Sequence, residues 1–306
     1  MTQKNELNAL VDKYILYIDI KPETKLGYRR ILSEFLKYVD TLPDLPVRQD
    51  IIQYREKLKE RLKASSVQKH IVVIRNFYRW YSYEGYGLNV ADGIKGMRIE
   101  SNFKREALSE EASIKLLLKA RSHSKRDIIG LRNYAIVALL LTTGLRTIEV
   151  ERADVSDIDF INDFYVLYVM GKGRDDKDEY VKLSIDVLAI IQEYLSTRND
   201  SFKPLFINHK EPQNGSRIQT RNIRGMIKNL LVEIGLDSPK YTAHSLRHTA
   251  ATLALLHGAN IEEAQKMLRH KDPKTTQIYI HEIEKSKNHL EHTISDALFK
   301  KKNNRR

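Results

Sequence analysis

The most informative absence from this sequence is cysteine. None of the 306 residues is a cysteine, which excludes a disulfide framework, a thiolate zinc site, an iron–sulfur cluster and a cysteine nucleophile. Long apolar runs are missing too: the most apolar stretch, Ala135 to Leu141, reaches about a third of the ~20 residues that a bilayer-spanning helix needs. Charged residues interrupt the N-terminal apolar pattern (Glu6, Asp12, Lys13 and Asp19), as a signal peptide would not allow. We expect a soluble, cytoplasmic protein with no membrane partner.

Charge points to the class of partner. Lysine and arginine number 52 against 40 acidic residues, which gives a net charge of +12, and the sequence pI is about 9.5. A polyanion is therefore the expected partner. The length suggests about two domains, and 42% hydrophobic with 30% charged residues excludes wholesale disorder.

Four segments with helical spacing of apolar residues fill positions 1–86, which we predict to form a small all-helical N-terminal domain. The fourth segment, from Ser66 to about Tyr83, carries Lys69, Arg75 and Arg79 among aromatic residues. These cations predict a surface that faces DNA. The same pattern also fits a helix whose aromatics are core and whose cations are only solvated.

Positions 87–106 contain several glycines and little periodicity, so we predict a linker. From 107 to 306 the pattern predicts helices around a strand at Tyr165–Met170 and another at Glu179–Leu183, with Lys172 at the turn between them. The fold class is therefore expected to be mainly α with a small antiparallel β-sheet. The end of the chain is basic.

The second domain contains six side chains that together could stabilise charge, attack an ester and transfer protons. In chain order they are Arg146, Lys172, His244, Arg247, His270 and Tyr279. Two guanidinium groups match the charge that builds on a phosphodiester under attack. A tyrosine can attack such an ester and conserve its bond energy as phosphotyrosine, provided that a base and an acid serve the two oxygens. Lysine and histidine fit these needs.

At these residues the sequence resembles the tyrosine recombinase, or phage integrase, family. Thr143-Gly144-Leu145-Arg146-Thr147-Ile148-Glu149 is similar to the first arginine motif of the family, and Gly171-Lys172-Gly173 to its lysine turn. His244-Ser245-Leu246-Arg247-His248-Thr249 resembles the histidine–arginine motif. Leu268-Arg269-His270 followed by Thr275-Thr276-Gln277-Ile278-Tyr279 resembles the last histidine and the nucleophile.

The resemblance implies a site-specific DNA recombinase. It implies a helical core-binding (SAM-like) domain and a catalytic domain that clamp duplex DNA, with Tyr279 as the nucleophile and Glu149 as the supporting acid. It further implies 3′-phosphotyrosine and Holliday-junction intermediates, a homotetramer on paired sites, and no cofactor or metal. Arg174 beside the lysine turn is expected to bind DNA, and accessory DNA-binding proteins are possible partners.

Two positions depart from the family pattern. Arg269 stands where glycine is usual and Ala153 where leucine is usual. We expect the chemistry to survive both, and Arg269 to add a phosphate contact or to change helix packing.

Several alternatives stay open at this point. His244 and His248 have the spacing of a zinc helix, but the glutamate between them and a third ligand are lacking. Arg174 and Lys177 are alternative candidates for the role of Lys172. Tyr241 is an alternative candidate for the nucleophile in place of Tyr279.

The function has alternatives as well. A type IB topoisomerase would use similar groups to cut and rejoin a single duplex. A DNA-binding module that has lost catalysis would lack at least one of the six groups. Within recombinases, the two-domain length favours an Xer-like enzyme, whereas the departures and the basic end favour a mobile element.

Overall fold

The structure is a computed structural model that describes residues 3–98, 106–171, 176–210 and 214–269, together with the separate positions 294, 295 and 298. The chain divides into two compact units, Met1–Asn102 and Phe103–Arg306. None of the described helices is both long enough and apolar enough to span a bilayer.

The first unit consists of four described helices: α1 (Gln3–Tyr17), α2 (Pro22–Val39), α3 (Arg48–Arg61) and α4 (Ala64–Tyr83). Pro22 occupies the first turn of α2, where its missing N–H has no intrahelical partner to lose. Each helix buries one apolar face, as the spacing predicts. Phe35 and Phe77 are fully buried, and Tyr14 packs edge-on against Phe77 with ring centroids 5.5 Å apart. The aromatic residues of α4 are therefore largely core.

This core continues past α4. Ala91 and Ile94 are buried with the helices, and the Arg55 guanidinium donates to the carbonyl oxygen of Lys95 at 2.8 Å. The described residues after 86 thus pack on the N-terminal helices, within the range predicted as a linker. The boundary between the two units falls at its far end.

The second unit is mainly helical. Its helices are α5 (Glu110–Ser124), α6 (Ile128–Thr143), α7 (Thr147–Arg152), α8 (Ile185–Thr197), α9 (Thr220–Glu233), α10 (Ala243–Leu256) and α11 (Ile261–Leu268). α6 is apolar on nearly all sides and lies at the centre of the unit, so most of its residues are buried. The side chain of Asp127 begins α6 by accepting the N–H of Gly130 at 2.6 Å.

A three-stranded antiparallel sheet lies beside these helices in the order β1 (Ile158–Ile161), β2 (Phe164–Val169), β3 (Glu179–Leu183). Val169 pairs with Glu179 at the end of β2 that faces the predicted lysine turn. The predicted fold class, mainly α with a small antiparallel sheet, is confirmed. The sequence reading missed β1 because it has four residues, of which Asp159 and Phe160 are exposed.

Candidate active site

Arg146 is held by the carboxylate that follows it one helical turn later. Glu149 Oε2 accepts the backbone N–H of Arg146 at 2.7 Å, and Glu149 Oε1 accepts its guanidinium Nη1 at 2.9 Å. Glu149 has no solvent exposure, whereas the Arg146 side chain is 29% exposed. The buried carboxylate of Glu149 thus caps the N-terminus of α7 and orients the guanidinium of Arg146, which remains partly exposed to solvent.

Gly144 shapes the turn that leads into Arg146. It ends α6 in the left-handed region, at φ +62°. A Cβ at this position would lie 2.6 Å from Cδ2 of Leu268, the last residue of α11. Both the backbone conformation and the close approach require glycine.

Arg247 joins three segments of the site. It belongs to α10 and is only 2% exposed. Its Nη1 donates to the carbonyl oxygen of Gly144, and its Nη2 donates to the carbonyl oxygen of Leu268. The first arginine motif, the histidine–arginine motif and the end of α11 therefore meet at one guanidinium group.

His244 lies in the first turn of α10, where the chain exposes it to solvent. Thr242 caps this helix, and its hydroxyl accepts the N–H of His244 at 3.3 Å. His248, one turn later, is buried and packs edge-on against His244 with centroids 4.7 Å apart. No cluster of three metal-ligating side chains occurs among the described residues.

The lysine turn itself is only partly described, because Lys172 and Arg174 lie outside the described residues. The residues on either side of this turn are held by hydrogen bonds and ion pairs. Nη1 of Arg152, from α7, donates to the carbonyl oxygen of Gly171 at 3.4 Å, and Lys177 Nζ pairs with Asp154 at 2.8 Å and with Asp157. Lys177 is therefore an anchor of this segment.

Asp154 is the centre of that anchor. It is 5% exposed and also accepts a hydrogen bond from Arg217. Burial opposes its ionisation, but the hydrogen bonds from Lys177 and Arg217 outweigh this effect and lower the pKa of the Asp154 carboxyl. The carboxylate thus stays charged at neutral pH and ties Lys177, which precedes β3, to the segment after α7.

His270 and Tyr279 also lie outside the described residues. The chain enters His270 from Arg269, whose backbone is left-handed at φ +53°. Nη2 of Arg269 donates to Glu149 Oε2 at 2.8 Å. Among the described contacts, the departure from the family's glycine thus produces an ion pair beside Arg146.

Tyr241 is a poor competitor for the role of nucleophile. Its hydroxyl donates to Glu106 Oε2 at 3.3 Å. Burial and the neighbouring Glu106 carboxylate both raise the pKa of the Tyr241 phenol. A phenol in this environment resists the deprotonation that attack requires.

In the first unit, Lys69 and Arg79 are exposed and Arg75 is half-buried. At 100° per residue these three cations share the side of α4 opposite its buried residues. Arg79 also lines an aromatic cavity of about 460 Å³ with Tyr28 and Trp80. The arrangement thus combines an aromatic core face with a separate cationic face.

Sequence reasoning missed the anchoring residues. Arg152, Asp154 and Asp157 belong to none of the motifs, and their partners lie 19 to 63 residues away in the chain. The one available signal was the short spacing of acids directly after the first arginine motif.

The comparisons with known proteins agree with the motifs. Residues 109–286 match the phage integrase family, and residues 11–85 match the SAM-like N-terminal domain of phage integrases. Tyrosine recombinase XerD of Listeria innocua is 28% identical over 296 residues, which cover 90% of this chain and 94% of that protein. Tyrosine recombinase XerD of Halalkalibacterium halodurans is 30% identical over 294 residues, with coverage of 92% and 94%.

A solved structure shares the fold. The XerH site-specific recombinase, bound to a palindromic difH substrate in a post-cleavage complex, superposes with a TM-score of 0.72 at 20% identity. The match covers 88% of this chain and 80% of that chain. With a family match over more than half of its length and a relative of 30% identity, the chain belongs to the phage integrase family and is a tyrosine-type site-specific recombinase.

Proposed function

We propose that this recombinase cuts and rejoins duplex DNA through a phosphotyrosine formed on Tyr279. The Tyr279 hydroxyl oxygen attacks the phosphorus, the bond to the 5′ oxygen breaks, and the 3′ phosphate stays on the enzyme. Attack by a 5′ hydroxyl from a partner strand reverses these steps and releases the tyrosine. No net phosphodiester bond is lost, so no ATP is needed.

The observation that carries this proposal is the junction at Arg247. Its guanidinium bonds to Gly144, two residues before Arg146, and to Leu268, two residues before His270. Three motifs that are far apart in the sequence therefore share one place in the fold. Such convergence is what a single phosphate-binding site requires.

We assign the charge-stabilising role to Arg146 and Arg247. A phosphodiester gains a second negative charge as the tyrosine attacks, and two guanidinium groups neutralise it in the transition state more than in the ground state. Glu149 supports this role because it fixes the guanidinium of Arg146 at 2.9 Å. His244 and His270 orient phosphate oxygens and relay the nucleophile's proton.

We assign the role of general acid to Lys172. The leaving 5′ oxygen must gain a proton, and a lysine on a hairpin turn can reach it. Of its two competitors, Lys177 is already paired with Asp154 at 2.8 Å and is 20% exposed. A lysine held between two carboxylates is not free to reach the leaving oxygen.

Duplex DNA is the proposed substrate, bound by both units. Residues 1–106 carry 20 basic and 14 acidic residues and residues 107–306 carry 32 and 26, so each part has a net charge of +6. We propose that Lys69, Arg75 and Arg79 in the first unit, with Arg174 in the second, contact the phosphate backbone.

We further propose a homotetramer on paired sites. The apolar series near the C-terminus includes Ile294 and Leu298, whose side chains are 56% and 65% exposed. Exposed apolar residues at helical spacing favour a helix that docks on a neighbouring subunit. Accessory DNA-binding proteins would assist this assembly, which takes place in the cytoplasm. The biological role would be either dimer resolution or the integration and excision of a mobile element.

A partner-exchange assay tests the proposed reaction. Two duplexes that carry the same site and different end labels are incubated with the protein, and recombinant products are resolved by length. Exchange of partners is expected, and it depends on Tyr279. Absence of exchange, together with relaxation of a supercoiled plasmid that carries the site in a parallel reaction, would indicate a topoisomerase instead.

A further inference from the structure

Arg269 combines an unfavourable backbone with a nearly buried charge. It lies in the left-handed region at φ +53° and ψ +47°, where a side chain is strained and glycine is favoured. Its guanidinium is only 7% exposed. A strained residue with a buried cation persists where the contacts of its side chain offset both costs.

Those contacts reach the carboxylate that holds Arg146. Glu149 Oε2 accepts a hydrogen bond from Arg269 Nη2 at 2.8 Å and one from the backbone N–H of Arg146 at 2.7 Å. Glu149 Oε1 accepts Nη1 of Arg146 at 2.9 Å. One fully buried carboxylate therefore serves two arginines, and these three side chains together carry a net charge of +1 before the more distant carboxylate of Glu179, 3.7 Å from Arg269 Nε, is counted.

The second cation has two physical effects on Arg146. It fixes the orientation of the Glu149 carboxylate, because its hydrogen bond defines which way Oε2 points. It also offsets part of the negative charge that Arg146 faces, so that the Arg146 guanidinium is not fully neutralised by Glu149. Both effects prepare Arg146 for an anionic phosphate.

Arg269 also links other parts of the site. Its Nε lies 3.7 Å from Glu179 Oε2, and Glu179 begins the strand that follows the lysine turn. Arg269 itself precedes His270 in the chain. The side chain thus connects α7, β3 and the segment that enters the last histidine motif.

We propose that Arg269 is a positioning residue for strand cleavage, acting through Glu149 on Arg146. The inference rests on the proposed role of Arg146 at the phosphate. A helix cap alone would not need this side chain, since glycine ends a helix in this conformation with less strain. The ion pair with Glu149 gives arginine a function that glycine lacks.

The test is the variant R269G, because glycine accepts the left-handed backbone conformation and removes the side chain with its guanidinium. We expect single-turnover cleavage of a suicide substrate to fall about tenfold to a hundredfold, as misplacement of a catalytic group does, in a variant whose cooperative thermal melt shows that it is folded. R269K should recover part of the rate. K266A removes an exposed cation from the same helix and should retain the rate.

Two comparisons separate positioning from other roles. On an R146A background, R269G should cost less than threefold, because Arg146 is no longer present to be positioned. An equal loss on both backgrounds, or a rate for R269G within twofold of the parent protein, would overturn the proposal.

A second readout does not require cleavage. The Nε–H NMR signal of Arg146, assigned by its loss in R146K, should shift in R269G and stay in place in K266A. An unmoved signal would overturn the proposal even for an active enzyme. A shifted signal in a protein that forms no phosphotyrosine would instead mean that the positioning is real and the proposed reaction is wrong.

Discussion

The guanidinium group of Arg247 donates a hydrogen bond to the carbonyl oxygen of Gly144. This contact spans 103 positions of the chain and places the second motif arginine beside the turn that presents the first one, Arg146. Because Arg247 is buried and bonded to backbone carbonyl groups, its substitution should affect stability as well as cleavage.

We expect R146A and R247A each to slow cleavage by about a hundredfold to a thousandfold, the usual cost of losing one donor to a developing oxyanion. R247A should also lower the free energy of unfolding by about 1–3 kcal/mol, because it leaves two buried carbonyl groups without their donor. Urea unfolding beside suicide-substrate cleavage checks both parts. An R247A variant as stable as the parent protein would contradict the buried placement of Arg247.

Gly144 gives a stability prediction. G144A should destabilise the protein by about 1–3 kcal/mol, since alanine is strained at φ +62° and its Cβ would lie 2.6 Å from Leu268. The matched control is G225A in α9, where an added Cβ meets nothing within 4 Å. There the better helix propensity of alanine should stabilise by about 0.5–1 kcal/mol. Thermal melts of both variants decide whether the turn requires glycine.

Lys172 and Lys177 should differ in their chemical rescue. K172A should recover most of its cleavage rate when sulfur replaces the bridging 5′ oxygen, because a thiolate leaves without a proton. K177A removes the cation between Asp154 and Asp157, so its defect should be one of stability. Sulfur should not restore it. Rescue of K177A and not of K172A would reverse the two assignments.

The lowered pKa of the Asp154 carboxyl predicts that the stability of the protein depends on pH. Its pKa is lowered on folding, so its stabilisation is present above the unfolded pKa of about 4 and is lost as pH falls through the lower folded value. D154N should therefore be less stable than the parent protein at neutral pH, and this difference should shrink below about pH 4. Urea unfolding across this range measures it. D176N, at an exposed position, should show no such narrowing.

Much of the fold could be predicted from local patterns. Helices α1 to α4 bury continuous apolar faces, so their spacing was sufficient, and the bounds of β3 were predicted without error. The short elements were not predictable. α7 has six residues and β1 has four, which is too few for a periodic pattern to emerge.

The features of the candidate active site likewise include some that the sequence predicted and some that it could not. The sequence predicted Arg146 and Arg247 through their motifs, and the structure brings their segments together. It could not predict that Arg269 would meet Glu149, because those residues are 120 positions apart and no local pattern encodes the pair. The roles of Lys172, His270 and Tyr279 stay predictions.

In the proposed reaction Tyr279 forms the covalent bond to DNA. The most direct measurement is to trap the protein on a nicked suicide substrate, digest the adduct and identify the modified residue by mass spectrometry. We expect a nucleotide on Tyr279, and no adduct for Y279F, which should still bind the site. An adduct on Tyr241 or another residue, or an undiminished adduct in Y279F, would contradict it.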